Sequence, residues 1–394
     1  MRSSEISVLR ILHVIPSISP LRGGPSAAVI GMVRALRCQG VDAAILTTND
    51  AGPGIDPSLP IGQWHDYEGV PVLVFKRWSP PIRPLREFAI SPGLNRWLAG
   101  HIHNYDLLHV HALFSWPSTT AMLQARLAGV PYLLRTIGQL CRWSLARSPG
   151  RKRLLMTLVE RANLKGAKAL HFTSEAERAE AADLRLPTPT LVLPLGVNVP
   201  WSVESAGQGL PHDRTVFLFL SRLHPKKRLE LLFAALVLLQ QRQPHAAWEL
   251  IIAGNGDSVY VAQLKRQAEA LGLASRCSWL GFVEGPAKWH TFRSAHWFVL
   301  PSASENFGIA AIEALAVGTP VLVSQAVAVG SEIAAAGAGR LIPDNSSDLA
   351  DCLAMALTPP SAAMVAAAHK LVSTRYAWPA IAQQLERTYL DCLP

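Results

Sequence analysis

Short apolar runs, each closed by Gly, Pro, Ser or Asn and followed by a stretch with helical periodicity, recur along this chain. Residues 8–15, 43–47, 72–75, 106–111, 131–136 and 169–173 read as a first series of strands. A second series begins at 216–220 and continues through 248–253, 297–300 and 321–323. Helices fall between them: 26–39, stopped by Gly40, one opening at Ser115-Trp116-Pro117, and others opening at Leu229 and Ser258. Ser174-Glu175-Ala176-Glu177 has the form of a capping box, and 309–317 is a short, almost wholly apolar helix closed by Gly318. Continuous apolar strands alternating with helices mark parallel sheets covered on both faces. The prediction is an α/β protein in two halves. A stretch rich in Ser, Gly and Pro over 200–213 reads as the linker, giving domains over 1–199 and 214–377 with a closing helix over 378–394.

With 394 residues, 49% hydrophobic and 16% charged, the chain is globular and long enough for substantial cores. The longest uninterrupted apolar run, 231–239, is too short to span a bilayer. Arg10 interrupts the first apolar stretch and no cleavage-type site follows, so no secretory leader is expected. Five scattered cysteines without a Cys-x-x-Cys pair suggest reduced thiols in a cytosolic setting. Charge changes the picture more. Residues 1–198 carry 22 Lys and Arg against 13 Asp and Glu, while 199–394 carry 15 against 15. The whole excess of +9 therefore lies in the first half, which implies an anionic partner. No zinc-finger spacing or RNA-binding signature is present, so nucleic acid is not expected. Between 139 and 165, Arg142, Arg147, Arg151, Lys152 and Arg153 alternate with Leu140, Trp143, Leu145, Leu154, Leu155 and Met156. A helix of that kind either lies on an anionic lipid surface or is merely solvated.

Candidate chemistry gathers in three places. The first is the βαβ unit over 297–324, whose ligands should bind at the carboxyl ends of the strands. Glu305 stands in its loop, and Glu313 is the one charge on an apolar helix. An enclosed carboxylate needs hydrogen-bond donors, so Glu313 is expected to meet sugar or ribose hydroxyls. Backbone amides near Asn306, Phe307 and Gly308 add donors at the helix start. The second is Ser221-Arg222-Leu223-His224-Pro225-Lys226-Lys227-Arg228. Four cations crowd a helix N-terminus that already carries partial positive charge, a repulsion that a diphosphate would relieve. The third is a set of glycine turns and a strand end. Gly23-Gly24 precedes a helix, and Gly254-Asn255-Gly256 follows a strand but makes a poor dinucleotide fingerprint. His109 and His111 share one face of their strand. No carboxylate or thiolate is spaced to complete a metal site with them, so no metal is expected.

Glu305-Asn306-Phe307-Gly308, then Glu313-Ala314-Leu315-Ala316, then Gly318-Thr319-Pro320-Val321 resemble the donor-sugar motif of glycosyltransferase family 4. The resemblance spans nearly the whole chain. It implies a GT-B fold, two Rossmann-like domains facing across a cleft, with helix 378–394 crossing back to the first. It further implies a retaining, metal-independent hexosyltransferase of cell-surface polysaccharide or glycolipid synthesis, cytoplasmic and peripheral on the inner face of the membrane. The substrates would be a nucleotide sugar and a saccharide or lipid-linked acceptor, with no cofactor. Carried over residue by residue, Arg222 and Lys227 hold the diphosphate, Glu305 the donor-sugar hydroxyls and Glu313 the ribose. His111 lies beside the donor sugar. Further donor-binding positions are Gly23, Gly24, Gly254 and Gly256, then Phe282 and Val283 beside the base, and Asn306, Phe307, Gly308 and Ile309. Ser221 and Arg228 stand where the family has glycine, and Leu195 where it has Asn. A GT-B epimerase or a non-enzymatic sugar-nucleotide-binding protein is the alternative.

Overall fold

The computed structural model describes residues 8–197, 210 and 213–393. Asn198 and the expected linker, apart from Leu210 and Asp213, lie outside the described residues. The chain divides into two compact units, residues 1–196 with 378–394, and residues 197–377.

The first unit contains β1 (Arg10–Ser17), β2 (Asp42–Thr48), β3 (Asp50–Ala51), β4 (Gly54–Ile55), β5 (Trp64–Tyr67), β6 (Val70–Phe75), β7 (Leu107–His111), β8 (Tyr132–Arg135), β9 (Ala169–Phe172) and β10 (Thr190–Val192). Eight of these form one sheet in the order β10-β9-β8-β7-β1-β2-β6-β5. Every neighbouring pair is parallel except the β5–β6 hairpin. The order turns around between β1 and β7, so this is a doubly wound sheet with its switch point there. Ile11 and Ile15 of β1 face one buried cluster and Leu12 and Val14 the other, which is why the strand reads as a continuous apolar run.

The second unit contains β11 (Thr215–Leu220), β12 (Trp248–Ala253), β13 (Cys277–Gly281), β14 (Trp297–Leu300), β15 (Val321–Ser324) and β16 (Gly339–Ile342). They form an all-parallel sheet in the order β13-β12-β11-β14-β15-β16. Its switch point lies between β11 and β14.

Between β2 and β6 the chain forms the small β3–β4 ribbon and β5, whose Trp64 and Tyr67 pair with Leu73 and Val70. Two local expectations are corrected. The stretch 139–165 is no single helix: Ser148 adopts a left-handed φ of 56° before Pro149, separating the helix Arg142–Ala146 from Pro149–Leu155. Proline cannot continue the preceding hydrogen-bond ladder. The capping box is half formed. Ser174 accepts from the Glu177 amide at 3.1 Å, but the Glu177 carboxylate turns inward to Thr136, Gly138 and Thr173.

The helix Trp378–Cys392 belongs to the first unit. Trp378, Ile381, Ala382, Leu385 and Tyr389 are buried, the spacing of one helical face. The Trp378 ring lies so close to Gly31 and Gly196 that a Cβ on either would sit 2.6 Å or 2.3 Å from it. Gly31→Ala would gain about 1 kcal/mol of helix propensity but must displace the indole. The expected result is a net loss of about 1–3 kcal/mol, the overpacking range, read by denaturant unfolding; a stabilised variant would contradict the close packing.

Candidate active site

In the second unit, the loops after β11 and β14 flank the switch point. Beyond β11 the chain runs through Ser221 and Arg222 into a tight turn, Pro225–Lys227. Beyond β14 it runs through the buried Ser302 to Glu305 and Gly308, which opens the helix Ile309–Ala316. The two loops interlock. The Ala303 amide donates to the Lys226 carbonyl at 2.8 Å, and Lys227 Nζ donates to Glu305 Oε2 in an ion pair whose side chains are 14% and 23% exposed. Glu305 is fixed by its own backbone as well, its amide donating to Ala326 O at 2.9 Å and its carbonyl accepting from the Ala328 amide at 3.2 Å.

The four clustered cations do not all await one anion. Arg228, at a left-handed φ of 56°, turns its guanidinium to Asp344. Lys227 is matched by Glu305. Arg222 is exposed, and no partner is found for its guanidinium among the described residues.

Gly254 and Gly256 serve these same loops. Added Cβ atoms would lie 1.9 Å from Ser221 O and 2.1 Å from Leu223 O. The bare backbones are needed because the Leu223 amide donates to Asn255 O at 2.7 Å; the glycines brace the Arg222 loop. Phe282 is half exposed and Val283 less so. Phe307 is 5% exposed, packed edge-on to Tyr376 at 5.9 Å, so its side chain belongs to the core. Ile309 is partly covered, and Asn306 has a partner of its own.

Glu313 departs from expectation in having a protein donor. Lys288 Nζ donates to its Oε1 at 2.7 Å, from the helix Gly285–Arg293. Burial raises the Glu313 carboxyl above its ordinary pKa, and Lys288 pulls it back. A cavity of about 500 Å³ in this unit, lined by Arg214, Gln243, Gly318 and Leu357 among others, lies at the amino ends of the strands, opposite these loops.

In the first unit, Gly23 and His111 stand at the carboxyl ends of the strands flanking its switch point. Gly23 has φ 77° and caps the helix Gly24–Cys38. Arg22 beside it is paired with the buried Asp50 at 2.6 Å, which also holds the buried Arg77; sequence reading missed this triad, whose members stand in separate segments.

His111 is fully buried rather than presented to a ligand, because its side of β7 faces an enclosed polar layer. Strand register aligns His13 with His109, and His111 with Arg135 and then His171, all buried on the face that also receives Tyr389. His111 Nε2 lies 3.0 Å from His13 Nδ1. His171 Nε2 lies 2.9 Å from the Leu193 carbonyl, which only accepts, so this nitrogen carries the proton. His171 Nδ1 then accepts from His109 Nε2 at 3.3 Å, and His109 Nδ1 accepts from the Tyr389 hydroxyl at 2.7 Å. Burial, aided by the charge of Arg135, pushes His13 and His171 down to about 3. His109 and His111 fall well below the usual range for the same first reason. Candidate ligand nitrogens of His13, His109 and His111 lie within 4.8 Å of one another, a set with the right donors for a transition metal. The set does not fit one electrostatically. Arg135, 1% exposed, shares the layer with Nε and Nη1 unpartnered, and a dication would have to sit beside that guanidinium.

Four histidines that stay neutral in the fold but protonate near 6.5 when unfolded make stability pH-dependent. Below about 6.5 the unfolded chain holds more protons, so stability falls as pH drops toward about 3. Each contributes up to about 1.4 kcal/mol per pH unit in that window. Denaturant unfolding between about pH 8 and pH 5 should show the decline starting near 6.5, and the double variant His13→Gln/His171→Gln should flatten it; equal slopes in both proteins would remove the histidines as its source.

Comparison with known proteins matches residues 203–370 to the family described as glycosyl transferases group 1 and residues 23–196 to the glycosyl transferase 4-like domain. The chain is 28% identical to a GDP-mannose:cellobiosyl-diphosphopolyprenol alpha-mannosyltransferase of Komagataeibacter xylinus, covering 98% of this chain and 94% of that one. It is 27% identical to the phosphatidyl-myo-inositol mannosyltransferase of Mycolicibacterium smegmatis, covering 97% and 93%. Among solved structures, sucrose-phosphate synthase from Thermosynechococcus elongatus superposes with a TM-score of 0.75 at 20% identity, over 97% and 98% of the chains. Anabaena HepE in complex with UDP and glucose superposes at 0.73 and 21% identity, over 97% and 100%. The fold is GT-B.

Proposed function

We propose that this chain, which belongs to the group 1 glycosyl transferases, is a retaining, metal-independent hexosyltransferase moving a sugar from a nucleoside diphosphate to a lipid-linked or saccharide acceptor. The observation that carries the reading is the contact between Lys227 and Glu305 at the carboxyl ends of β11 and β14. Parallel sheets bind ligands at such a point, and a nucleotide sugar presents both kinds of group that this pair can exchange for its own contact. The diphosphate takes Lys227 and the free Arg222, while the sugar hydroxyls donate to Glu305. Stabilising the charge that develops on the leaving diphosphate is then the work of two cations, a task that elsewhere falls to a metal. Gly254 and Gly256 hold the Arg222 loop in place for it. Glu313 accepts from the ribose, Phe282 and Val283 flank the base, and the first turn at Gly308 and Ile309 offers amides. In the first unit, Gly23, Gly24 and His111 are the groups at its own switch point, and His111 would need its ring uncovered to meet a sugar.

Lipid-linked acceptors are favoured by the names of the two mannosyltransferase relatives, both of which act on lipids. GDP-mannose, the donor named for the first of them, is the first donor to test. No helix among the described residues is long and apolar enough to cross a membrane. A lipid acceptor would be met through peripheral contact, which we propose on the cytoplasmic side. Trp143, Leu154 and Leu158 are exposed on the basic segment, Arg147 lies over the Trp143 ring at 5.7 Å, and Arg151 lies over Phe88 at 5.6 Å. Phe88 ends a stretch that exposes Trp78, Ile82 and Leu85. Apolar and cationic side chains interleaved in this way suit an anionic interface.

Lys227→Met should weaken nucleoside diphosphate binding by about tenfold or more, as expected for a charge-assisted contact, while nucleoside binding stays nearly constant. Equal losses in calorimetry would contradict the diphosphate assignment. Glu305→Gln should cut kcat by about a hundredfold, the scale of an electrostatic transition-state contact, with nucleotide affinity nearly kept; unchanged turnover removes Glu305 from the mechanism. In vesicle sedimentation the protein should follow anionic but not neutral liposomes, lose binding as salt rises, and bind less as Trp143→Ala/Arg147→Ala/Arg151→Ala. Binding indifferent to lipid charge would rule out the electrostatic contact.

A further inference from the structure

The ion pair between Lys288 and Glu313 is a side-chain contact to a proposed donor-binding carboxylate that no sequence motif announces. Lys288 lies on the helix Gly285–Arg293, which follows the Phe282-Val283 segment directly. Its Nζ donates to Glu313 Oε1 at 2.7 Å, and the side chains keep 25% and 16% of their surface. The same ammonium sits 4.9 Å from the centre of the Trp289 ring, so it is held from two sides. Glu313 Oε2 has no partner among the described residues, and it is not among the sealed polar atoms either.

The helix Ile309–Ala316 packs against the Lys288 helix, the helix Ala362–Leu371, the turn Val372–Tyr376, β14 and β15. Those elements carry Lys288, His290, Arg293, His369, Lys370, Arg375 and Tyr376 as ionisable groups. Arg375 and Tyr376 are both engaged by Glu332. Among the described residues Lys288 is the one charge that acts on the Glu313 carboxyl, opposing the upward push of burial.

We propose that Lys288 is a positioning residue for donor recognition: it holds Glu313 by Oε1, leaving Oε2 to accept from a ribose hydroxyl. The second hydroxyl can share Oε1, since each carboxylate oxygen accepts two hydrogen bonds. A cation bound in this way gives direction as well as charge, because a carboxylate on a helix is otherwise free to rotate about its terminal torsion. The inference rests on the reading of Glu313 as the ribose acceptor, and its test separates the two.

Calorimetric binding of GDP and UDP, and of their 2′,3′-dideoxy counterparts, is measured on the full chain for wild type, Lys288→Met, Lys288→Gln, Lys288→Arg and Glu313→Gln. Lys288→Met and Lys288→Gln should each weaken the better-bound diphosphate by about tenfold near pH 7.5, the worth of one charge-assisted hydrogen bond. The loss should deepen as pH falls, because burial raises the Glu313 carboxyl and the variants lack the ammonium that pulls it back. Binding of the dideoxy ligand should be unchanged, KM for the donor sugar should rise in step while kcat stays within about threefold, and Lys288→Arg should restore most of the affinity. Wild-type affinity in Lys288→Met and Lys288→Gln, or an equal loss with the dideoxy ligand, would overturn the positioning role. If instead Glu313→Gln binds both diphosphates as wild type does, the ribose assignment itself fails. A loss in Glu313→Gln without one in the Lys288 variants sinks the inference alone.

Discussion

A carboxylate and an ammonium drawn out of water together, Glu305 and Lys227, set the terms for everything around them in the second unit. Neither belongs to a long element that could carry it there. Each sits on a loop at the end of a buried parallel strand, and the loops are tied by a main-chain hydrogen bond, Ala303 to Lys226, as well as by the side chains. Burial makes either charge costly alone, so the two are matched against each other. A ligand bearing phosphate charge and sugar hydroxyls can relieve both at once, whereas one bearing only the first would leave the carboxylate stranded. That asymmetry favours the whole nucleotide sugar over its fragments.

The neighbouring charges divide the labour. Arg228 is taken by Asp344 and Lys288 by Glu313, while Arg222 remains uncommitted. Of the four cations over 222–228, only Arg222 is held in reserve among the described residues. Lys227, Arg228 and Lys288 are each matched by a local carboxylate. The site is therefore less positive than its sequence looks.

Much of this was legible in the chain. Buried parallel strands announce themselves because both faces are apolar, and the Glu305–Glu313 motif with the Arg222–Lys227 spacing located the loops at the second switch point. What could not be read were pairings across sequence distance. His13 looks like one polar interruption of an apolar strand until register sets it beside His109 and His111. Lys288 sits in a helix with no motif, and Phe307, part of the motif, proves to be core. The break at Ser148-Pro149 was visible in the letters, but the basic pattern around it masked the stop signal. Gly254 and Gly256 carried the appearance of ligand contacts, while the backbone they approach is that of the protein itself.

The helix Trp378–Cys392 completes the core of the first unit, yet it is encoded after the whole of the second. During synthesis the second unit has every residue it needs once residue 377 has emerged, whereas the first must wait with its Trp378 and Tyr389 docking surfaces open. The order of completion is thus reversed relative to the order of translation, against the usual amino-to-carboxyl progression. A ribosome stalled beyond residue 377 but short of Tyr389 would hold one finished unit behind an unfinished one, its histidine layer still wet.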